Sequence, residues 1–204
     1  MTEDKAREWM AGRFGNEACA RVARFAEHVI EESERQNLIA RSTLAHIWGR
    51  HILDSAQLID HAGAIDGKTH WLDVGSGAGF PGAIIALLTP ARVTLVEPRR
   101  RRAEFLSQAL ADVSTVQIVT AKVETIQAAA QDIVTARAVA TVDELLRATR
   151  HVTNISTRYI LPRGRSVQAE LETVHRGWHG LFHVEPSITD PDSGILIAEK
   201  VRIR

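Results

Sequence analysis

A chain of 204 residues has room for one ordinary domain with a sizeable core. Its 45% hydrophobic and 25% charged residues are globular rather than disordered, and no apolar run approaches the roughly 20 residues that cross a bilayer. Formal net charge is zero, so no global field draws a polyanion.

The start, Met-Thr-Glu-Asp-Lys, carries no secretory apolar region, and the single Cys19 forms no internal disulfide. A cytoplasmic protein without membrane association is expected. Of the 25 basic residues all but Lys5, Lys68, Lys122 and Lys200 are arginine. Arginine's planar fork suits phosphates and guanine edges, but genomic GC bias gives the same excess, which by itself decides nothing.

From Asn16 to Gln36 apolar residues recur at Ala20, Val22, Ala23, Phe25, Ala26, Val29 and Ile30, predicting an amphipathic helix. A second helix is expected over Ser42–Ala62, with Ser42 or Thr43 as its cap. Together they read as a helical N-terminal extension, residues 1–65, packed on a main domain over 66–204. Inside the second helix, Arg50-His51-Ile52-Leu53-Asp54-Ser55 places His51 and Asp54 three apart on one face. They suit an acid/base pair, although a local hydrogen bond or cap is the better reading of the spacing alone.

Residues 71–82, Trp-Leu-Asp-Val-Gly-Ser-Gly-Ala-Gly-Phe-Pro-Gly, are the most telling. An apolar strand runs into Gly75, Gly77 and Gly79, and a helix follows Pro81. Such a turn lets backbone approach a ligand where a Cβ would clash. The next strand, Arg92–Val96, ends at Glu97, 24 positions after Asp73. That is near the spacing at which a second-strand acid meets ribose hydroxyls. The D-x-G-x-G-x-G pattern departs from the dinucleotide fingerprint: Asp73 is a poor neighbour for pyrophosphate and a good one for a cationic amino-acid moiety. S-adenosylmethionine (SAM) has that moiety, a ribose and an adenine.

Strand-like and helix-like segments alternate from there on, predicting an α/β fold with a mostly parallel sheet covered on both faces. Strands are expected near His70–Gly75, Arg92–Val96, Val116–Thr120, Ile133–Ala136, Thr157–Leu161, Leu181–Val184 and Ile195–Lys200. The last two are suited to an antiparallel pair at an edge. Helices fall near Pro81–Leu88, Arg99–Leu110, Val142–His151 and Val167–Arg176. Arg99 to Arg102 oppose the dipole of the helix they open, and at most two of them face one ligand. Phosphate contact and a solvated face are equally open readings there. Arg137 follows the fourth strand, where ligand crevices form, and Pro162-Arg163-Gly164-Arg165 occupies the same rim. No cluster has metal-ligand spacing, and neither a G-x-S-x-G elbow nor a Walker lysine is present, which demotes hydrolases and nucleotide kinases.

These residues resemble the RsmG (GidB) methyltransferases, which methylate N7 of a guanosine in 16S ribosomal RNA. The likeness is carried by Asn37-Leu38, the block Arg50–Ser55, the loop Asp73–Gly82, Val96-Glu97 with Arg101-Arg102 and Phe105-Leu106, Val123-Glu124, and Arg137-Ala138. Two departures are Ile39, where the family usually has Thr, and Arg163, where it often has Lys. The resemblance implies a Rossmann-like SAM-dependent fold, a seven-stranded sheet with a helical N-terminal extension. It further implies SAM contacts at Gly75, Phe80, Val123, Glu124 and Arg137, and Glu97 near the ribose. The product would be S-adenosylhomocysteine, no metal is involved, and the target is the 530 loop of the small subunit or its precursor. His51, Asp54, Arg137 and Arg163 are candidates for shaping the guanine pocket, with Arg50, Arg101, Arg102, Arg163 and Arg165 for RNA contact, in a monomer. The competing readings are an NAD-dependent oxidoreductase on a similar sheet, which the glycine spacing disfavours, and a non-catalytic RNA-binding or ribosome-assembly module, which the intact loop and Glu97 disfavour.

Overall fold

The computed structural model describes residues 1–204. Helix α1 (Glu3–Ser33) begins where the Thr2 hydroxyl accepts from Lys5 N, with Glu3 and Asp4 at the positive end of its dipole. It starts well before the expected Asn16. Upstream of its kink at Gly15 only Ala6 and Met10 are buried, too few for a periodic signal. The helix expected over Ser42–Ala62 is broken into α2 (Arg41–Leu44), a π turn (Trp48–Ile52), α3 (Leu53–Ala56) and a 3-10 turn (Gln57–His61). The Glu3 carboxylate accepts from Trp48 N at 3.1 Å and Gly49 N at 2.8 Å, replacing the carbonyls an unbroken helix would offer. Neither Ser42 nor Thr43 caps it: Ala40 precedes α2, and the Thr43 hydroxyl donates back to Ala40 O at 2.8 Å.

The strands are β1 (His70–Val74), β2 (Arg92–Val96), β3 (Val116–Val119), β4 (Ile133–Thr135), β5 (Arg158–Arg163), β6 (Trp178–Pro186) and β7 (Gly194–Ile203). They form one seven-stranded sheet in the order β3-β2-β1-β4-β5-β7-β6. The first five run parallel, and β7 lies antiparallel between β5 and β6. The expected antiparallel pair is therefore present, but longer than Leu181–Val184 and Ile195–Lys200. Trp178 extends it, buried and donating its indole N–H to Asp143 Oδ1 at 2.8 Å.

Period-2 alternation buries both sheet faces. Trp71, Leu95, Ile133 and Ile160 face the side covered by α1, α4 (Gly82–Leu88) and α5 (Arg100–Ala109). Leu72, Val96, Val134 and Leu161 face α6 (Val142–Thr149) and α7 (Val167–Gly177). Phe25 of α1 meets Phe80 and Phe105 at ring centroids of 5.9 and 6.3 Å, joining the N-terminal helix to the sheet's own layer. The sheet order reverses between β1 and β4, so their carboxyl ends open a crevice.

Candidate active site

A cavity of about 730 Å³ lies in that crevice, walled by the glycine loop, Glu97 and the segment after β4. The loop is anchored to β2, with Gly75 N and Ser76 N donating to Val96 O at 2.7 and 3.1 Å. Gly75 has φ of +68°, and a Cβ there would come within 2.6 Å of a Val139 methyl. Glycine adopts that left-handed backbone freely, and Val139 fills the space a side chain would take. Glu97 is buried in the wall, its carboxylate accepting from Gly77 N and Arg99 N, both at 2.8 Å. Each oxygen keeps a lone pair for a diol. Phe80, Val123 and Glu124 also line the cavity. Lys122, Leu145 and Ala148 line it too, with no motif to announce them.

Two expected cofactor residues sit elsewhere. Asp73 is fully buried beneath the loop and faces away from the cavity. Its Oδ2 accepts from Gly82 N at 3.2 Å and its Oδ1 from the Thr135 hydroxyl at 2.9 Å. Burial raises its carboxyl to about 6 against the hydrogen bonds from Ser76, Thr135 and Gly82 that pull it down. It fastens strand, loop and helix together rather than meeting an amino-acid moiety. Gly79 likewise turns inward: at φ +97° a Cβ would meet Phe25 Cζ at 2.6 Å and Ala83 Cβ at 2.9 Å.

His51 and Asp54 do share a face, but they bond to Arg137 rather than to each other. Arg137 donates to His51 Nδ1 at 3.0 Å, to Asp54 Oδ2 at 3.3 Å and to Arg50 O at 3.5 Å. With Nδ1 accepting, Nε2 carries the imidazole proton and donates to the Thr43 hydroxyl at 2.8 Å. Burial, then the charges of Arg137 and Arg50, push His51 down to about 3, so the ring is neutral. It stacks on Phe80 at 5.1 Å, and the Arg137 guanidinium lies 5.4 Å from the same ring. Asp54 Oδ1 is held by Gln57 Nε2 and the Thr189 hydroxyl at 3.0 and 2.8 Å. Gln57 lies three positions after Asp54 and was legible by spacing. Thr189, in the turn between β6 and β7, was not.

Arg137 belongs to two cavities at once, the large one and a cleft of about 130 Å³ bounded by Asp54, Arg163, Ser187 and Ser193. Arg163 is nearly buried there, with its ordinary pKa lowered by burial and partly restored by Glu170. Outside its lining, Arg50, whose backbone carbonyl accepts from Arg137, and Arg165, the neighbour of lining residue Gly164, mark its rim; both are exposed and paired, with Asp190 and Asp192. Arg102 of α5 lines the large cavity and donates to Asn37 O at 2.9 Å, Arg99 just before α5 lines it as well, and Arg101 is exposed.

The strand order, the glycine loop and the acid that follows β2 define a Rossmann-like fold. The same fold is seen in a mutant of MtNAS solved in complex with S-adenosylmethionine, at a TM-score of 0.59 and 17% identity over 88% of this chain and 71% of that one. The family model GidB, described as rRNA small subunit methyltransferase G, matches residues 18–189, and the chain belongs to that family. Proteins named ribosomal RNA small subunit methyltransferase G share 42% identity in Rhizorhabdus wittichii, over 100% of this chain and 95% of the relative, and 40% in Novosphingobium aromaticivorans, over 97% and 88%.

Proposed function

We propose that the chain transfers a methyl group from SAM to N7 of a guanosine in the 530 loop of 16S ribosomal RNA, as a cytoplasmic monomer. The observation that carries this reading is Arg137, clamped by His51 and Asp54 at the boundary between a cofactor-sized cavity and an arginine-lined cleft. The cavity suits SAM: the buried Glu97 carboxylate suits ribose hydroxyls, the backbone of Gly75 and Gly77 lines the wall for the methionine portion, and Val123 with Glu124 suits the adenine.

When bound, SAM supplies an electrophilic methyl on a sulfonium. Guanine N7 already carries an in-plane lone pair, so the protein has no proton to remove. The site agrees: His51 is neutral with both ring nitrogens occupied, and both Asp54 oxygens accept hydrogen bonds. What remains is positioning and electrostatics. Arg137 is fixed by acceptors from the block Arg50–Asp54, and its guanidinium serves as a rigid donor facing both cavities. Phe80 offers the flat wall beneath it. Mapping N7-methylguanosine in ribosomal RNA from cells with and without the gene tests the reading; an unchanged 530 loop in the deletion strain refutes it.

A further inference from the structure

The small cleft is lined by a buried cation, Arg163, whose hydrogen-bonding capacity the free protein uses only in part. Arg163 is 8% exposed, and its Nη1 donates to Ala136 O at 3.3 Å. Its Nε lies 3.3 Å from Glu170 Oε2, yet Nε, Nη2 and that oxygen make no hydrogen bond. Glu170 balances the charge while leaving the directional donors unused, an arrangement that is costly unless something else engages them. One wall of the cleft is the turn after β6, through Ser187, Ser193 and Gly194. That turn is fastened to the Arg50–Gln57 segment: Thr189 donates to Asp54, and Ile188 N to Gln57 Oε1 at 2.9 Å. Its two acids reach the two rim arginines, Asp190 to Arg50 at 3.3 Å and Asp192 to Arg165 at 2.6 Å.

We propose that this cleft takes one backbone phosphate of the RNA strand, anchored by Arg163, and that Asp190 and Asp192 are internal competitors occupying Arg50 and Arg165 until the strand displaces them. The proposal rests on the RNA-methylation reading. A guanine edge fits the cleft less well, because its N1–H and N2–H₂ need acceptors and the one carboxylate lining the cleft, Asp54, is already engaged on both oxygens. A phosphate needs only donors, and bidentate arginine suits it. The rim pairs are weak rivals: the Arg50 and Arg165 side chains are 55% and 84% exposed. RNA gains in addition the release of its condensed counterions.

The test measures binding of a 530-loop RNA hairpin to the wild type and to the D190N/D192N variant by fluorescence anisotropy at low salt. Asparagine keeps an acceptor for the turn's own backbone while removing both charges. Tightening of roughly two- to thirtyfold is expected, the range two exposed ion pairs allow, with SAM affinity unchanged by calorimetry. A scan of single methylphosphonate linkages should find one position that weakens wild-type binding about tenfold and has no further effect in Arg163→Gln, as one lost charged contact requires. Equal affinity in the Asn variant, or no sensitive linkage, overturns the proposal. If the wild type methylates unmethylated small subunits while the Asn variant binds RNA no tighter, the methylation reading stands and the turn assignment falls. If the wild type neither binds nor methylates the RNA, both fall.

Discussion

Arg137 is the residue on which the two halves of the site turn, and its value lies in shape as much as charge. A lysine carries the charge but cannot bond three acceptors in one plane. Arg137→Ala should lower methyl transfer roughly hundredfold, the effect of removing one preorganised donor, and Arg137→Lys should recover little. Radiolabelled transfer reads the loss, and thermal denaturation should show both variants folded, since Asp54 keeps its bonds from Gln57 and Thr189. Asp73, buried, and His51, partly buried, also set opposed pH slopes. Asp73 titrates at about 6 in the folded chain against 3.8 ordinarily, so its contribution is present below 3.8 and lost as pH rises through 6. His51 titrates at about 3 against 6.5, so its contribution is present above 6.5 and lost as pH falls toward 3. They offset between about pH 4 and 6. Asp73→Asn should therefore expose the His51 slope, and denaturant unfolding at stepped pH should show the variant losing stability on acidification more steeply than wild type.

At the scale of elements, the glycine loop separates into positions that face a ligand and positions that face the core. In Gly75→Ala the new methyl meets Val139, which is 45% exposed and free to yield, so the loss should fall on cofactor binding. At least a tenfold weaker SAM affinity by calorimetry is expected, with about 1–2 kcal/mol of stability lost to the left-handed backbone. In Gly79→Ala the methyl meets buried Phe25 and Ala83, which cannot yield, and about 3 kcal/mol should be lost in denaturant unfolding. The loop, Glu97 and the strand endings were legible because local spacing decides them. The break within 41–61 was not, because it depends on Glu3 reaching Trp48 and Gly49 across the fold. Spacing placed His51 and Asp54 on one face, but Arg137 stands 83 positions beyond Asp54, out of reach of any helical rule. Asp73 misled for a related reason: the motif gives its place on the strand, while Thr135 and Gly82 decide where the carboxylate turns.

Taken whole, a chain of zero net charge must meet RNA through a local array. In the phosphate-binding proposal that array is Arg50, Arg137, Arg163 and Arg165, drawn from three segments: the turn Trp48–Ile52, the stretch after β4 and the end of β5. Binding should weaken linearly in log salt, and Arg50→Ala with Arg165→Ala should make that slope shallower by about 1.5, since each phosphate contact contributes about 0.7–0.9. A titration from low to moderate salt checks it; an unchanged slope would place the contact elsewhere. The insertion of β7 between β5 and β6 bears on how the protein is made. The large cavity draws its walls from segments up to Ala148, whereas the far wall of the cleft needs Ser187 to Ile195. On the ribosome the residues that wall the cofactor cavity therefore emerge before the Ser187 to Ile195 segment that closes the cleft.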